Sequence, residues 1–307
     1  MTGALTGFAV ITAVIAVGYA LGRAAVLGPD AATVLSRVAF FVATPALLFQ
    51  TVARADVPAV ISSALAVTVL SSIAVASVFV TVARLCWRRS VAEATIGALA
   101  SSYVNAANIG IPVAVYVLGD AAFVAPVLMF QLVVMTPVAF AFLEVSTARH
   151  RPSIGMVLVQ PFANPVTIAC VLGLVASLTG WLPPEPVLRP IALVAAMAVP
   201  ATLIAYGLSL HGAARPGSGG TARDVGLAVA LKTVVQPTVA YLVARFALGL
   251  PPALVLACTV TAALPTAQNV FVYATRYGRS VVLARDSILL STVVAVPVLV
   301  GVVVLAG

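Results

Sequence analysis

Asn105-Ala106-Ala107-Asn108-Ile109-Gly110-Ile111-Pro112 interrupts one long apolar run of this chain, and Leu264-Pro265-Thr266-Ala267-Gln268-Asn269 interrupts another. Pro112 and Pro265 each remove an amide donor, and Gly110 adopts angles that other residues resist. Backbone inside a bilayer has no water to bond. An irregular segment at membrane depth is therefore tolerated only within protein or beside a watery cavity.

The rest of the chain puts these segments in a membrane. Of 307 residues, 63% are hydrophobic and 8% charged, against about 25% charged in soluble domains. A span needs about 20 apolar residues. Ten fit, at residues 3–22, 31–53, 58–84, 92–118, 122–146, 156–180, 187–210, 224–248, 252–275 and 281–306. The first run has no basic lead and no A-x-A cleavage site, so it reads as a span and not a signal peptide. The net charge of +8 comes from basic residues scattered singly or in pairs, which points away from nucleic acid and toward loops that orient helices. With the N-terminus outside, Arg23, Arg37, Arg84, Arg88, Arg89, Arg149, Arg151, Arg215, Arg223, Arg276, Arg279 and Arg285 fall on the cytoplasmic side, and only Arg54, Arg189 and Arg245 outside. The positive-inside rule then puts both termini outside the cytoplasmic membrane.

The halves match in order. Pro45 corresponds to Pro200, Gly119 to Gly278 and Pro137 to Pro297, each pair roughly 155–160 positions apart. Five spans is an odd number, so the second unit enters from the opposite face. The expected fold is all-α, ten transmembrane helices in two inverted five-helix repeats, residues 1–147 and 154–307, with helices four and nine broken. Paired breaks in corresponding helices are the best sequence pointer to a transporter's substrate site.

The expected site follows from chemistry. A half-helix restarting near Pro112 would present free amides and a partial positive charge, suited to a carboxylate. Asn105 and Asn108 add neutral donors and acceptors. Pro265, Thr266, Gln268 and Asn269 repeat the arrangement in span nine. Gln131, mid-span, either lines the pocket or ties helices together. Asn164, before Pro165, reads as a helix start with a possible gating role. Lys232, the only lysine, reads as a residue snorkelling to the interface, with anion attraction or a conformational salt bridge as the alternative. Cys86, Cys170 and Cys258 read as buried free thiols. His150 and His211 make no metal pair, and no metal or cofactor is expected. No acid falls in the middle third of a span, so a carboxylate relay for proton or cation coupling is not evident. No Walker, dinucleotide or nucleophile motif appears, so no enzymatic activity is expected.

Asn105-x4-Gly110-Ile111-Pro112 followed by Gly119, and Ala263-Leu264-Pro265 through Phe271-Val272-x-Ala274-x-x-Tyr277, resemble the two crossover motifs of the auxin efflux carrier family. Asn164-Pro165, Gly207-Leu208, Lys232-x4-Pro237, Gln131 and Glu144 sit in similar contexts, so the resemblance spans nearly the whole chain. It implies the bile-acid-symporter-like architecture. Helices one, two, six and seven would form a scaffold and homodimer surface, and helices three to five and eight to ten a transport domain. Asn105, Pro112 and Pro265 would line the crossover. The chain lacks the third-helix acid of plant members, and its short inter-repeat connection is similar to that of prokaryotic carboxylate permeases. The reading is a secondary transporter of a small organic anion by an elevator-like alternating access. A sodium- or proton-coupled symporter and a non-transporting membrane sensor are the alternatives.

Overall fold

The computed structural model describes residues 2–54, 63–119, 121–147, 165–212, 216 and 220–306. Among them the regular structure is helical throughout, apart from one isolated antiparallel bridge between Val104 and Thr266. The helical segments are α1 (Thr2–Arg23), α2 (Ala31–Ala53), α3 (Ser63–Cys86), α4 (Val91–Ser102), α5 (residues 106–118), α6 (Ala125–Thr147), α7 (Pro165–Thr179), α8 (Glu185–Leu210), α9 (Ala222–Ala247), α10 (Pro252–Ala262), α11 (Asn269–Tyr277) and α12 (Val281–Ala306). Six of them, α2, α3, α6, α8, α9 and α12, are long and apolar enough to cross a membrane. Exposed side chains such as Leu85, Leu193, Phe246 and Val304 give the outside an apolar character. The inter-repeat connection and Asn164 lie outside the described residues.

Proline shapes four of these helices in the same way. The turns at Ala39–Ala43, Ala106–Gly110, Phe130–Met135 and Leu231–Val235 are widened to i→i+5 bonding, and each ends two residues before a proline: Pro45, Pro112, Pro137 and Pro237. The ring lacks an N–H and crowds the carbonyl four residues back, and a widened turn relieves that clash without ending the helix. This corrects the expected position of the first break. The chain leaves helical geometry at residues 103–105 and is helical again from Ala106. Pro112 stands more than a turn inside α5, not at its start.

Two glycine contacts bring helices together at backbone distance. A Cβ at Gly207 of α8 would lie 2.1 Å from the Ile15 carbonyl oxygen, and one at Gly18 of α1 would lie 2.4 Å from that of Ile204. In the other half, a Cβ at Gly173 of α7 would lie 3.0 Å from the Phe49 oxygen of α2 and 2.9 Å from the Val52 side chain. The largest buried cluster lies beside the crossover. Phe40, Phe140 and Tyr273 pack edge-on or tilted, with ring centroids 4.8–6.3 Å apart. Of the cysteines, Cys170 and Cys258 are buried, but Cys86 is exposed at the end of α3, contrary to expectation.

Candidate binding cavity at the helix crossover

The two breaks lie against one another. The Asn105 amide donates to the Pro265 carbonyl at 2.8 Å, and the Ala267 amide donates to that of Tyr103 at 3.1 Å. Each break thus satisfies backbone groups that the other would leave bare. The side chains continue the pairing: Asn105 Nδ2 donates to Gln268 Oε1 at 2.8 Å, and Asn108 Nδ2 reaches the same oxygen at 3.5 Å. Gln131 takes both roles considered for it. Its Oε1 accepts from the Val104 amide at 2.6 Å, tying α6 to the break, and it lines the adjacent cavity.

That cavity is about 220 Å³. Asn105, Asn108, Gln131, Gln268 and Asn269 line it, with Tyr103 between the breaks and Thr44, Leu48 and Thr51 of α2 opposite. No described lining residue carries a charge. Two helix starts open onto it. In α5, Ile109 and Gly110 are the first amides to reach the Asn105 carbonyl, so those of Ala107 and Asn108 precede the helical ladder. In α11 the first turn begins at Asn269. Each start carries roughly half a positive charge. Gln268 Nε2 is buried and has no hydrogen-bond partner among the described residues.

Other expected site residues serve the frame. The Thr266 amide donates to Ser291 Oγ and its hydroxyl to the Ala100 carbonyl, at 3.1 and 2.7 Å. Pro265 contributes its carbonyl to the crossing. Gly110 packs under Leu264, whose Cδ1 would stand 2.9 Å from an added Cβ. None of these three is among the lining residues.

Residues 4–303 match the family described as "Membrane transport protein". The chain belongs to this auxin efflux carrier-like family. A relative from Rhizobium meliloti (strain 1021), named "Putative malonate transporter", is 29% identical over 290 residues, covering 92% of this chain and 90% of its own. As a member of that family, the protein is a multi-pass membrane transporter.

Lys232 of this transporter does not snorkel. It is wholly buried, and Nζ donates to Gln236 Oε1 at 2.7 Å and to the Ala262 carbonyl at 2.8 Å. Reaching the interface would have required it to face lipid, whereas α9 turns it into the protein against the end of α10. Both of its acceptors in this structure are neutral. Sequence reasoning missed Gln236, although a second polar side chain one turn after a lone lysine was the available signal. It also missed Thr44 and Thr51, which carry no local mark in an apolar helix.

Proposed function

We propose that this protein is a secondary transporter of a small carboxylate, with malonate a candidate from its relative's name. The observation that carries this is the cavity at the crossing: small, without a charged side chain, with Asn105, Asn108, Gln131, Gln268 and Asn269 set among apolar residues in its wall and two helix starts opening onto it. Helix starts favour anions, and neutral amides bind them without burying a second charge. Lys232 stands at the carbonyl end of α10, where a coupling cation would otherwise be drawn. That favours an uncoupled carrier over a cation symporter.

The architecture in this reading is ten spans in two inverted repeats, with α4–α5 and α10–α11 as the broken helices four and nine. Repeat-like features support it. Gly119 ends α5 and Gly278 ends α11, both left-handed at φ 82° and 62°. The close-contact glycines Gly18 and Gly173 stand at equivalent places of helices one and six. Helices one, two, six and seven form the scaffold and homodimer surface. The others carry the crossover between the two faces of the cytoplasmic membrane, with both termini outside. The cavity wall suits this division, since Thr44, Thr51 and Val199 come from the scaffold and the asparagines from the moving part.

The test is flux. Purified protein in liposomes should take up radiolabelled malonate, and Asn105→Ala protein at least tenfold less. A protein that binds carboxylates but moves none would be a sensor.

A further inference from the structure

One end of the cavity is sealed by rings. On α2, Phe40 stands one turn from the lining residue Thr44, and on α11 Tyr273 stands one turn from Asn269. On α6 and α8, Phe140 and Tyr206 stand two turns from Leu132 and Val199. Each of these four rings is at most 1% exposed. All four lie on the side where α2 begins and α6, α8 and α11 end. Elsewhere in the lining the chain is open: Ile111 is 41% exposed, and Ala107 is exposed too.

The seal joins two groups of helices. Phe40 of α2 packs against Phe140 of α6 at a centroid distance of 5.5 Å, and against Tyr273 and Tyr277 of α11 at 6.3 and 6.5 Å. Arg276 of α11, exposed at the rim, sets its guanidinium 4.9 Å from the Phe41 ring centroid and 5.7 Å from that of Phe40. Tyr206 of α8 meets Phe271 of α11 edge-on at 5.6 Å, and its hydroxyl donates to the Arg285 carbonyl of α12 at 2.8 Å. Each of these contacts has α2 or α8 on one side and α6, α11 or α12 on the other.

Packing within each group is of another kind. Gly18 and Gly207 bring α1 and α8 to backbone distance, and Gly173 does so for α7 and α2. Gly97 of α4 lies against Phe79 of α3, and Gly110 of α5 against Leu264. Helices joined so closely move as a unit, because tight packing does not deform continuously. Rings and a guanidinium part more freely. Separating them leaves no backbone group bare, and the Arg285 carbonyl keeps its ladder partner within α12.

We propose that these contacts form a gate. Phe40 and Tyr206 seal the cavity against the face on which α2 begins, Arg276 latches the seal across Phe40 and Phe41, and its opening exposes the cavity to that face. This rests on the division into scaffold and moving helices proposed above, in which that face is cytoplasmic. Loss of one cation–π contact shifts such an equilibrium by roughly two- to fivefold. Arg276 thus sets the balance between the two faces without touching the substrate.

Thiol labelling tests it without any substrate. The reporter is Thr44→Cys, at the border of cavity and seal, in full-length protein with Cys86, Cys170 and Cys258 replaced by alanine. A membrane-impermeant methanethiosulfonate is applied to right-side-out and to inside-out membrane vesicles. Arg276→Gln should raise the labelling rate from the gated face by roughly two- to fivefold and leave the other face no faster. Tyr206→Phe, which keeps the ring and loses the hydrogen bond, should shift it the same way. Arg276→Lys, which keeps the cation over the rings, should label like the parent. A rise confined to one face supports the gate, and which face it is fixes the orientation. Rates equal to the parent's in both Arg276→Gln and Tyr206→Phe overturn it. A rise from both faces also overturns it, since that is loosened packing, and so does a reporter that labels from neither face in any variant. Malonate flux is read separately on the parent protein, so its absence would sink the transport reading and not this one.

Discussion

Lys232 and Gln236, one turn apart on α9, join the carbonyl ends of both interrupted helices. Lys232 Nζ donates to the Ala262 carbonyl at the end of α10, and Gln236 Nε2 donates to the Ser102 carbonyl at the end of α4, at 2.8 and 3.2 Å. The two side chains also bond each other at 2.7 Å, and Gln236 reaches Ser72 Oγ at 3.2 Å. The last carbonyls of a helix have no partner within it, and in lipid no water replaces one. One helix thus closes both breaks from behind, leaving their amide ends to face the cavity.

Gln236→Ala should therefore destabilise the folded protein by about 2 kcal/mol, since a buried acceptor left bare costs roughly 1–3 kcal/mol. The expected outcome is a lower Tm for purified protein in detergent. An unchanged Tm would show that the Ser102 carbonyl finds another donor and that the bridge is dispensable.

At the amide side, Asn105→Ala should lower malonate transport at least tenfold. A hydrogen bond to a charged group is worth about 1.5–3 kcal/mol, and a tenfold change needs about 1.4. Among the described residues the side chain bonds Gln268 alone, so Tm should fall by much less than for Gln236→Ala. Flux and Tm measured on the same preparation separate a binding role from packing. Equal loss in both would make Asn105 a structural residue.

Gly207→Ala and Gly226→Ala should move stability in opposite directions. At Gly207 the new methyl meets the Ile15 carbonyl at 2.1 Å and the Tyr19 amide nitrogen at 2.9 Å, both backbone atoms that cannot turn aside. Overpacking costs about 1–3 kcal/mol, and separating α1 from α8 costs more. At Gly226, in the first part of α9, nothing lies within 4 Å, and alanine gains about 0.5–1 kcal/mol of helix propensity. Thermal unfolding of the pair checks this. A Gly207→Ala protein as stable as the parent would mean that the helices do not meet so closely.

The sequence carried some of this and hid the rest for physical reasons. The two breaks were visible because asparagine, glutamine and proline are rare company in an apolar run. Gly119 and Gly278 were visible as a matched pair and do end the paired segments in left-handed geometry. The position of the first break was misread because proline acts on the turn before it: at Pro112 it widened a helix that had already restarted. Lys232 was misread because its carbonyl partner lies 30 residues on, in another helix. Thr51 was invisible because its hydroxyl bonds its own helix, as in any apolar span, and only the fold brings it to the cavity wall.

The charge carried per cycle follows from where the acids are. Asp224 pairs with Arg89 and Asp286 with Arg285, each at 2.7 Å. Glu93 caps α4 through Ser90, Glu144 accepts from the Tyr277 hydroxyl and Glu185 pairs with Arg189. None of these carboxylates lines the cavity, so no described acid there can carry a compensating proton or hold sodium. A substrate with a fixed single negative charge should then cross alone, and moving that charge is worth about 2.3 kcal/mol per 100 mV. Transport should be electrogenic and independent of sodium and proton gradients, with an inside-negative potential favouring movement of the anion out. Malonamate, which has one carboxylate and an amide in place of malonate's second acid, is the right substrate for the measurement, because a pH gradient does not change its charge. In liposomes with a potassium-clamped potential, its flux should follow the potential. Flux that ignores the potential but follows an imposed sodium or pH gradient would replace this uncoupled carrier with a symporter.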